Sequence, residues 1–113
     1  MTVQVVQMFE PTVLTTTPAT LYTVPLNPIT VLGRGEILFV NTDASPHVVN
    51  AYAIPAGGSF GTGNEFVPGV TIAAGGTLDV AVPNLGSNDF LQAKADAPGV
   101  VTIFALNGVI FFS

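Results

Sequence analysis

Between Thr77 and Val82 apolar and other side chains alternate: Leu78, Val80 and Val82 face one way and Thr77, Asp79 and Ala81 the other. This period of two predicts a strand with one side buried. No stripe at i, i+3, i+4, i+7 survives elsewhere, because nine prolines and twelve glycines interrupt every candidate, with Val, Ile, Thr and Phe between them. That mixture predicts short strands and turns. Thr20–Val24 and Ile29–Leu32 read as short strands separated by Pro25 and Pro28, which confine them to edges or ends. Glu36–Thr42 and His47–Ile54 read as an adjacent pair joined by Asp43-Ala44-Ser45-Pro46. Phe39, Val49 and Ala51 are core candidates there, with Tyr52 and Ile54 on the opposite face. Val70–Ala73 and Thr77–Val82 form an expected hairpin across Ala74-Gly75-Gly76. At the C-terminus Val100–Leu106 and Val109–Phe112 flank Asn107-Gly108, a pair suited to a type I′ turn, which places Phe104 opposite Phe111. Phe90–Ala95 would return through Asp96–Gly99 as a third strand of that hairpin. Val3–Phe9 is expected to be an edge strand or an arm reaching a neighbour.

Eight or nine strands at this spacing predict an all-β fold, a single-domain antiparallel β-sandwich over residues 1–113, with jelly-roll topology among its options. Residues 1–19 form its extended arm or edge strand.

Composition sharpens this picture. Charged residues make up 8% of the chain, against about 25% in an ordinary soluble domain, while 49% are hydrophobic and mean hydropathy is +0.63. A lone copy would expose considerable apolar surface, which self-association would cover. Arg34 and Lys94 are the whole cationic complement, and the net charge is −5. Phosphate neutralisation dominates nucleic-acid affinity, so nucleic acid is excluded as a partner, and anionic membranes are disfavoured. Without cysteine the chain carries no thiolate or disulfide chemistry. Met1–Gln7 holds neither a basic group nor a long apolar run, so synthesis in the cytoplasm is expected. Gly99–Phe112 is too short to span a bilayer and is broken by Asn107-Gly108. Its two faces are both apolar, Val101, Ile103 and Ala105 on one and Val100, Phe104 and Leu106 on the other. The first predicts cover by the opposite sheet, and the second predicts cover by another subunit or partial exposure.

Chemical motifs are sparse. Asp43, Ser45 and His47 hold the residue types of a nucleophilic triad, but they lie within one turn around Pro46, whereas a triad is normally assembled from distant parts of a fold. One histidine and scattered carboxylates offer no metal-ligand spacing, leaving only a calcium site built from distant loops. Gly57-Gly58-Ser59-Phe60-Gly61-Thr62-Gly63-Asn64 lacks the lysine and following helix of a phosphate loop and reads as a flexible tip. A glycan site would have to use Tyr22, Tyr52 or Phe60, since tryptophan is absent. No catalytic residue, cofactor or metal is expected, and the chain reads as non-enzymatic.

Leu21-Tyr22-Thr23-Val24-Pro25, Val40-Asn41-Thr42-Asp43, Ile54-Pro55-Ala56-Gly57-Gly58, Leu91–Asp96 and Pro98–Ile103 together resemble the small β-sandwich virion proteins encoded among bacteriophage structural genes. The resemblance implies a decoration or cement protein of a phage head, often trimeric, or a tail, neck or fibre component, and it brings no active site. Its expected partners are further copies of the chain and a major capsid or other virion protein. Interface candidates are Val3, Val5, Met8, Phe9, Phe60, Val100, Phe104, Leu106 and Phe111.

Overall fold

The computed structural model describes residues 1–112. They form β1 (Thr2–Val5), β2 (Thr12–Val13), β3 (Ala19–Thr23), β4 (Thr30–Asn41), β5 (His47–Ile54), β6 (Glu65–Ile72), β7 (Thr77–Val82), β8 (Phe90–Ala95) and β9 (Val101–Phe112), with no helix among them. One sheet runs β1-β9-β4-β7, with β2 also beside β9, and the other runs β3-β8-β5-β6. Every pairing is antiparallel. β1 and β2 lie along opposite halves of β9 and act as one interrupted strand, which gives the two facing four-strand layers of a jelly roll.

Only β5 and β6 are both consecutive and paired among the described strands. The expected pairs 36–42 with 47–54 and 70–73 with 77–82 are instead arches from one sheet to the other, as is the turn from β8 to β9. Backbone bonds from Asn41 N–H to the Gly76 carbonyl and from Thr42 N–H to that of Val100 tie these arches together. Phe39 and Val49 explain the geometry: both are fully buried, and they fill the space between the layers from opposite sides.

The C-terminal hairpin does not form. β9 continues through Asn107-Gly108, neither of which has the positive φ that a type I′ turn needs. β4 runs alongside and takes Thr30–Leu32 of the expected separate strand into the same long element, leaving Ile29 in the preceding turn. Both strands are irregular at the same level, where Arg34 has φ 54 and Asn107 Nδ2 donates to Glu36 Oε1 at 3.0 Å. Gly33 opposite Val109 and Ile37 opposite Ala105 flank the irregularity, so the register resumes beyond it. Partners on both sides thus outcompete a local turn.

The core comprises Leu14, Leu32, Ile37, Phe39, Val49, Leu91, Val101, Ile103 and their neighbours. Met8 and Phe9 belong to it. A side chain on Gly108 would meet the Val6 carbonyl at 3.1 Å and Met8 Cγ at 3.2 Å, so this glycine lets the N-terminal segment cross close to β9 and turn inward. Asn41 and Thr30 are its buried polar neighbours; Asn41 Nδ2 lies 2.9, 3.1 and 3.2 Å from the carbonyls of Ser45, Ile72 and Ala73, and its Oδ1 accepts from Asp43 N–H.

Candidate functional site

The outer faces of the two sheets differ in chemistry. On the β3-β8-β5-β6 sheet the outer face carries side-chain hydrogen bonds between strands: Gln92 Nε2 donates to Thr20 Oγ1 at 2.9 Å and Asn50 Nδ2 to Glu65 Oε2 at 3.0 Å, while Gln92 Oε1 is buried without a partner among the described residues. Tyr52 and Ile54 also point to this side and are buried beneath the 55–64 loop, with the Phe60 ring 5.4 Å from that of Tyr52. Among the described residues no such loop roofs the outer face of the other sheet, where Val3, Val5, Val13, Val31 and Leu106 stay exposed.

There the strand registers lay apolar side chains in rows. Val3, Phe111 and Val31 form one row across β1, β9 and β4, and Phe104 and Leu38 form another across β9 and β4. Leu106, Val40 and Val13 extend the patch. Inward-facing Leu32 and Ile37 stand five positions apart, so regular alternation would send one of them outward; the irregularity at Gly33–Glu36 reverses the parity. β9 makes the matching reversal, and the apolar side stays outermost along both strands. Val3, Val5, Val13, Val31 and Leu106 are all exposed large hydrophobics, with Val5 at 81%. At the β1 end a shallow hollow of about 250 Å³ is lined by Met1, Ile29, Val31, Phe111 and Phe112. Glu36 and Asp79 are the acidic groups of the face. A hydrogen bond and like charge from Asp79 raise the Glu36 carboxyl above its ordinary value.

Of the interface candidates, Val3, Val5, Phe104, Leu106 and Phe111 converge on this face. Met8 and Phe9 do not: the fold encloses both and they offer no surface. Phe60 is half-exposed on the other sheet's side, and Val100 lies in the β8–β9 turn, partly packed on the core. The sequence reading missed Val13, Val31, Leu38 and Val40, which reach the patch by pairing with β9.

At one end of the sandwich His47 bridges two carboxylates, with Nδ1 2.7 Å from Asp96 Oδ1 and Nε2 2.7 Å from Asp43 Oδ2. Carboxylates accept, so this geometry suits an imidazolium donating from both nitrogens. Asp43 and then Asp96 raise the His47 pKa from its ordinary 6.5. His47 and the Ala44 N–H hold Asp43 below its ordinary 3.8. Burial works against ionisation of Asp96, but the Val48 N–H and His47 keep it low as well. With both ring nitrogens engaged, His47 has none left to take a proton from Ser45, whose carbonyl accepts from Asn41. The three residues form a structural clasp between the β4–β5 and β8–β9 turns.

The pH dependence follows from the signs. The His47 contribution is complete below 6.5 and is lost as pH rises through its raised folded value. The Asp43 and Asp96 contributions are complete above 3.8 and are lost as pH falls through their lowered values. His47→Gln is therefore expected to lower the thermal midpoint between these limits and to flatten its decline on the alkaline side, as checked by melting curves across pH. An unchanged alkaline limb would remove the clasp from the stability of the fold.

The other motifs gather little. Among the described residues no three metal-ligating side chains are grouped to hold an ion. The Gly-rich segment is a loop closed on itself, Gly61 N–H donating to Asn64 Oδ1 and Asn64 Nδ2 to the Ser59 carbonyl. Tyr52 is 4% exposed, so a glycan platform would be left with Tyr22 and the open side of Phe60.

No protein-family model matches the chain, and no curated protein matches it. Among solved structures it is similar to Bacillus endospore appendages, described as a family of disulfide-linked pili, at 17% identity and a TM-score of 0.58, over 98% of this chain and 88% of that one. It is also similar to a chain of infectious bursal disease virus, Gx strain, at 14% identity and a TM-score of 0.51, over 96% of this chain and 31% of the viral one. These likenesses establish a shared fold.

Proposed function

We propose that the chain is a non-enzymatic structural subunit of a repeating protein assembly, and specifically a decoration or cement protein on a bacteriophage head, working as a small oligomer such as a trimer. The observation that carries this reading is the contrast between the two outer faces, one internally hydrogen-bonded and roofed by a loop, the other apolar from Val13 to Phe111 and uncovered. Apolar surface of that extent marks an interaction site. A shell protein covering it would gain about 25 cal/mol for each Å² removed from water, and symmetry would multiply weak contacts into firm attachment.

An appendage subunit is the second reading, favoured by the nearly end-to-end overlap with the spore pilus structure. That neighbour is described as disulfide-linked, whereas this chain has no cysteine, so here every contact between copies would be non-covalent.

The double variant Val31→Lys, Leu106→Lys tests the face. Both positions are nearly half exposed, at 43% and 45%, so the fold should persist. Each lost aliphatic contact is worth about 1.5–3 kcal/mol when buried, so attachment should weaken roughly hundredfold or more. Co-sedimentation with purified heads lacking this chain measures attachment, and electron microscopy of the purified chain reveals any appendage. Wild-type protein that stays monomeric and binds no particle would overturn both readings.

A further inference from the structure

Four strand edges bound the sandwich, and they are unequally defended. β3 carries a bulge between Thr20 and Tyr22 and is flanked by Pro18 and Pro25. β6 contains Pro68 and Gly69, the latter at φ 69, and its register with β5 shifts twice. Bends and prolines of this kind deny an incoming strand a regular row of backbone partners. β1 and β7, the edges of the apolar sheet, are more regular: each keeps unbroken register with its neighbour and contains no bulge or proline, Pro83 lying just beyond the end of β7, and between them they hold one charge, Asp79.

The phase of each ladder shows which groups are free. Val6 N–H donates to the Gly108 carbonyl at 2.9 Å, in the same register as β1 with β9. Residues alternate between facing the partner and facing away, so Val3 and Val5 turn their N–H and C=O outward. Asn41 N–H donates to the Gly76 carbonyl at 2.9 Å in the register of β4 with β7, so Thr77, Asp79 and Ala81 turn theirs outward.

The geometry points to strand addition between copies, with β1 of one copy pairing against β7 of the next. Directions alternate along β1-β9-β4-β7, so β7 meets the following β1 antiparallel when copies repeat in the same orientation. Charge selects this arrangement over β7 on β7, which would bring two Asp79 carboxylates together close to two Glu36 groups; β1 carries no charge. The contact is head-to-tail, closing into a ring or continuing as a filament according to the rotation between copies. It leaves the apolar face free for a shell protein, and it rests on the assembly role proposed above.

Val5→Pro and Ala81→Pro each remove one outward N–H and leave the inner ladder intact, with Val3→Pro as a second β1 variant if Val5→Pro unfolds the chain. Circular dichroism and thermal melting confirm folding, and sedimentation velocity reads association. Each single variant should associate at least about tenfold more weakly, the loss of one or two interface hydrogen bonds. An equimolar mixture of the two should form a discrete dimer, the intact β7 of one capping the intact β1 of the other. If Ala81→Pro associates like wild type while Val5→Pro is monomeric, the contact is β1 on β1 and the inference fails. If both associate normally while Val31→Lys, Leu106→Lys dissociates, strand addition fails and the assembly role stands. A wild-type monomer at every concentration ends strand addition, and the assembly role falls with it only if that monomer also binds no purified heads.

Discussion

Phe39→Ala is expected to remove about 3–5 kcal/mol of stability, the usual cost of truncating a buried phenylalanine. Phe39 is fully enclosed on β4, between Ile103 on β9 and Leu78 on β7, and it heads the fully buried side chains by volume. A domain of this kind has about 5–15 kcal/mol in all. The thermal midpoint should therefore fall by roughly 10–20 °C, with the slope of urea unfolding unchanged because the same surface is exposed. A loss below about 1 kcal/mol would mean that the two layers close around the missing ring, and that the sandwich is held together elsewhere.

Asn41→Ala should come next, at roughly 3 kcal/mol, since each buried polar group left unsatisfied costs about 1–3 kcal/mol. Its amide serves carbonyls from the β4–β5 turn and from the β6–β7 arch and accepts from Asp43 N–H, so one side chain fastens two crossings between the sheets. Asn41→Asp keeps the acceptor but turns a carboxylate toward three carbonyl oxygens, and is expected to be worse than alanine at neutral pH. Equilibrium unfolding of the three proteins gives the ranking. Equal stabilities for Ala and Asp would show that the amide donors contribute nothing.

The fold class was legible because alternation survives in short stretches. Leu78, Val80 and Val82 declared a strand, and Phe39, Val49 and Ala51 declared core positions that the structure fills. The pairing was not legible, for a local reason. Asp43–Pro46, Ala74–Gly76 and Asp96–Gly99 announce reversals, but a reversal beside the first strand and one across the core use similar turn residues. Asn107-Gly108 misled differently: its turn preference is small against ladders from β1 and β4 on both sides. The outer face was half visible, since Phe104 and Leu106 betray a second apolar side, whereas Val13, Val31 and Leu38 join it only through register. The bond from His47 to Asp96 spans 49 positions and had no trace in either local pattern.

The paired irregularity of β4 and β9 makes their lengths interdependent. Losing one residue near Arg34 alone would throw Thr30–Gly33 out of step with β9: Leu32 and Ile37, then four positions apart, would share a side by regular alternation, while β9 would still carry the extra residue that its own irregularity absorbs. A matched loss near Asn107 would realign the two, since Gly33 with Val109 and Ile37 with Ala105 already share one register. Indels in these strands are therefore tolerated in couples, and a homologue with a shorter β4 should be recognisable by a β9 shortened to match.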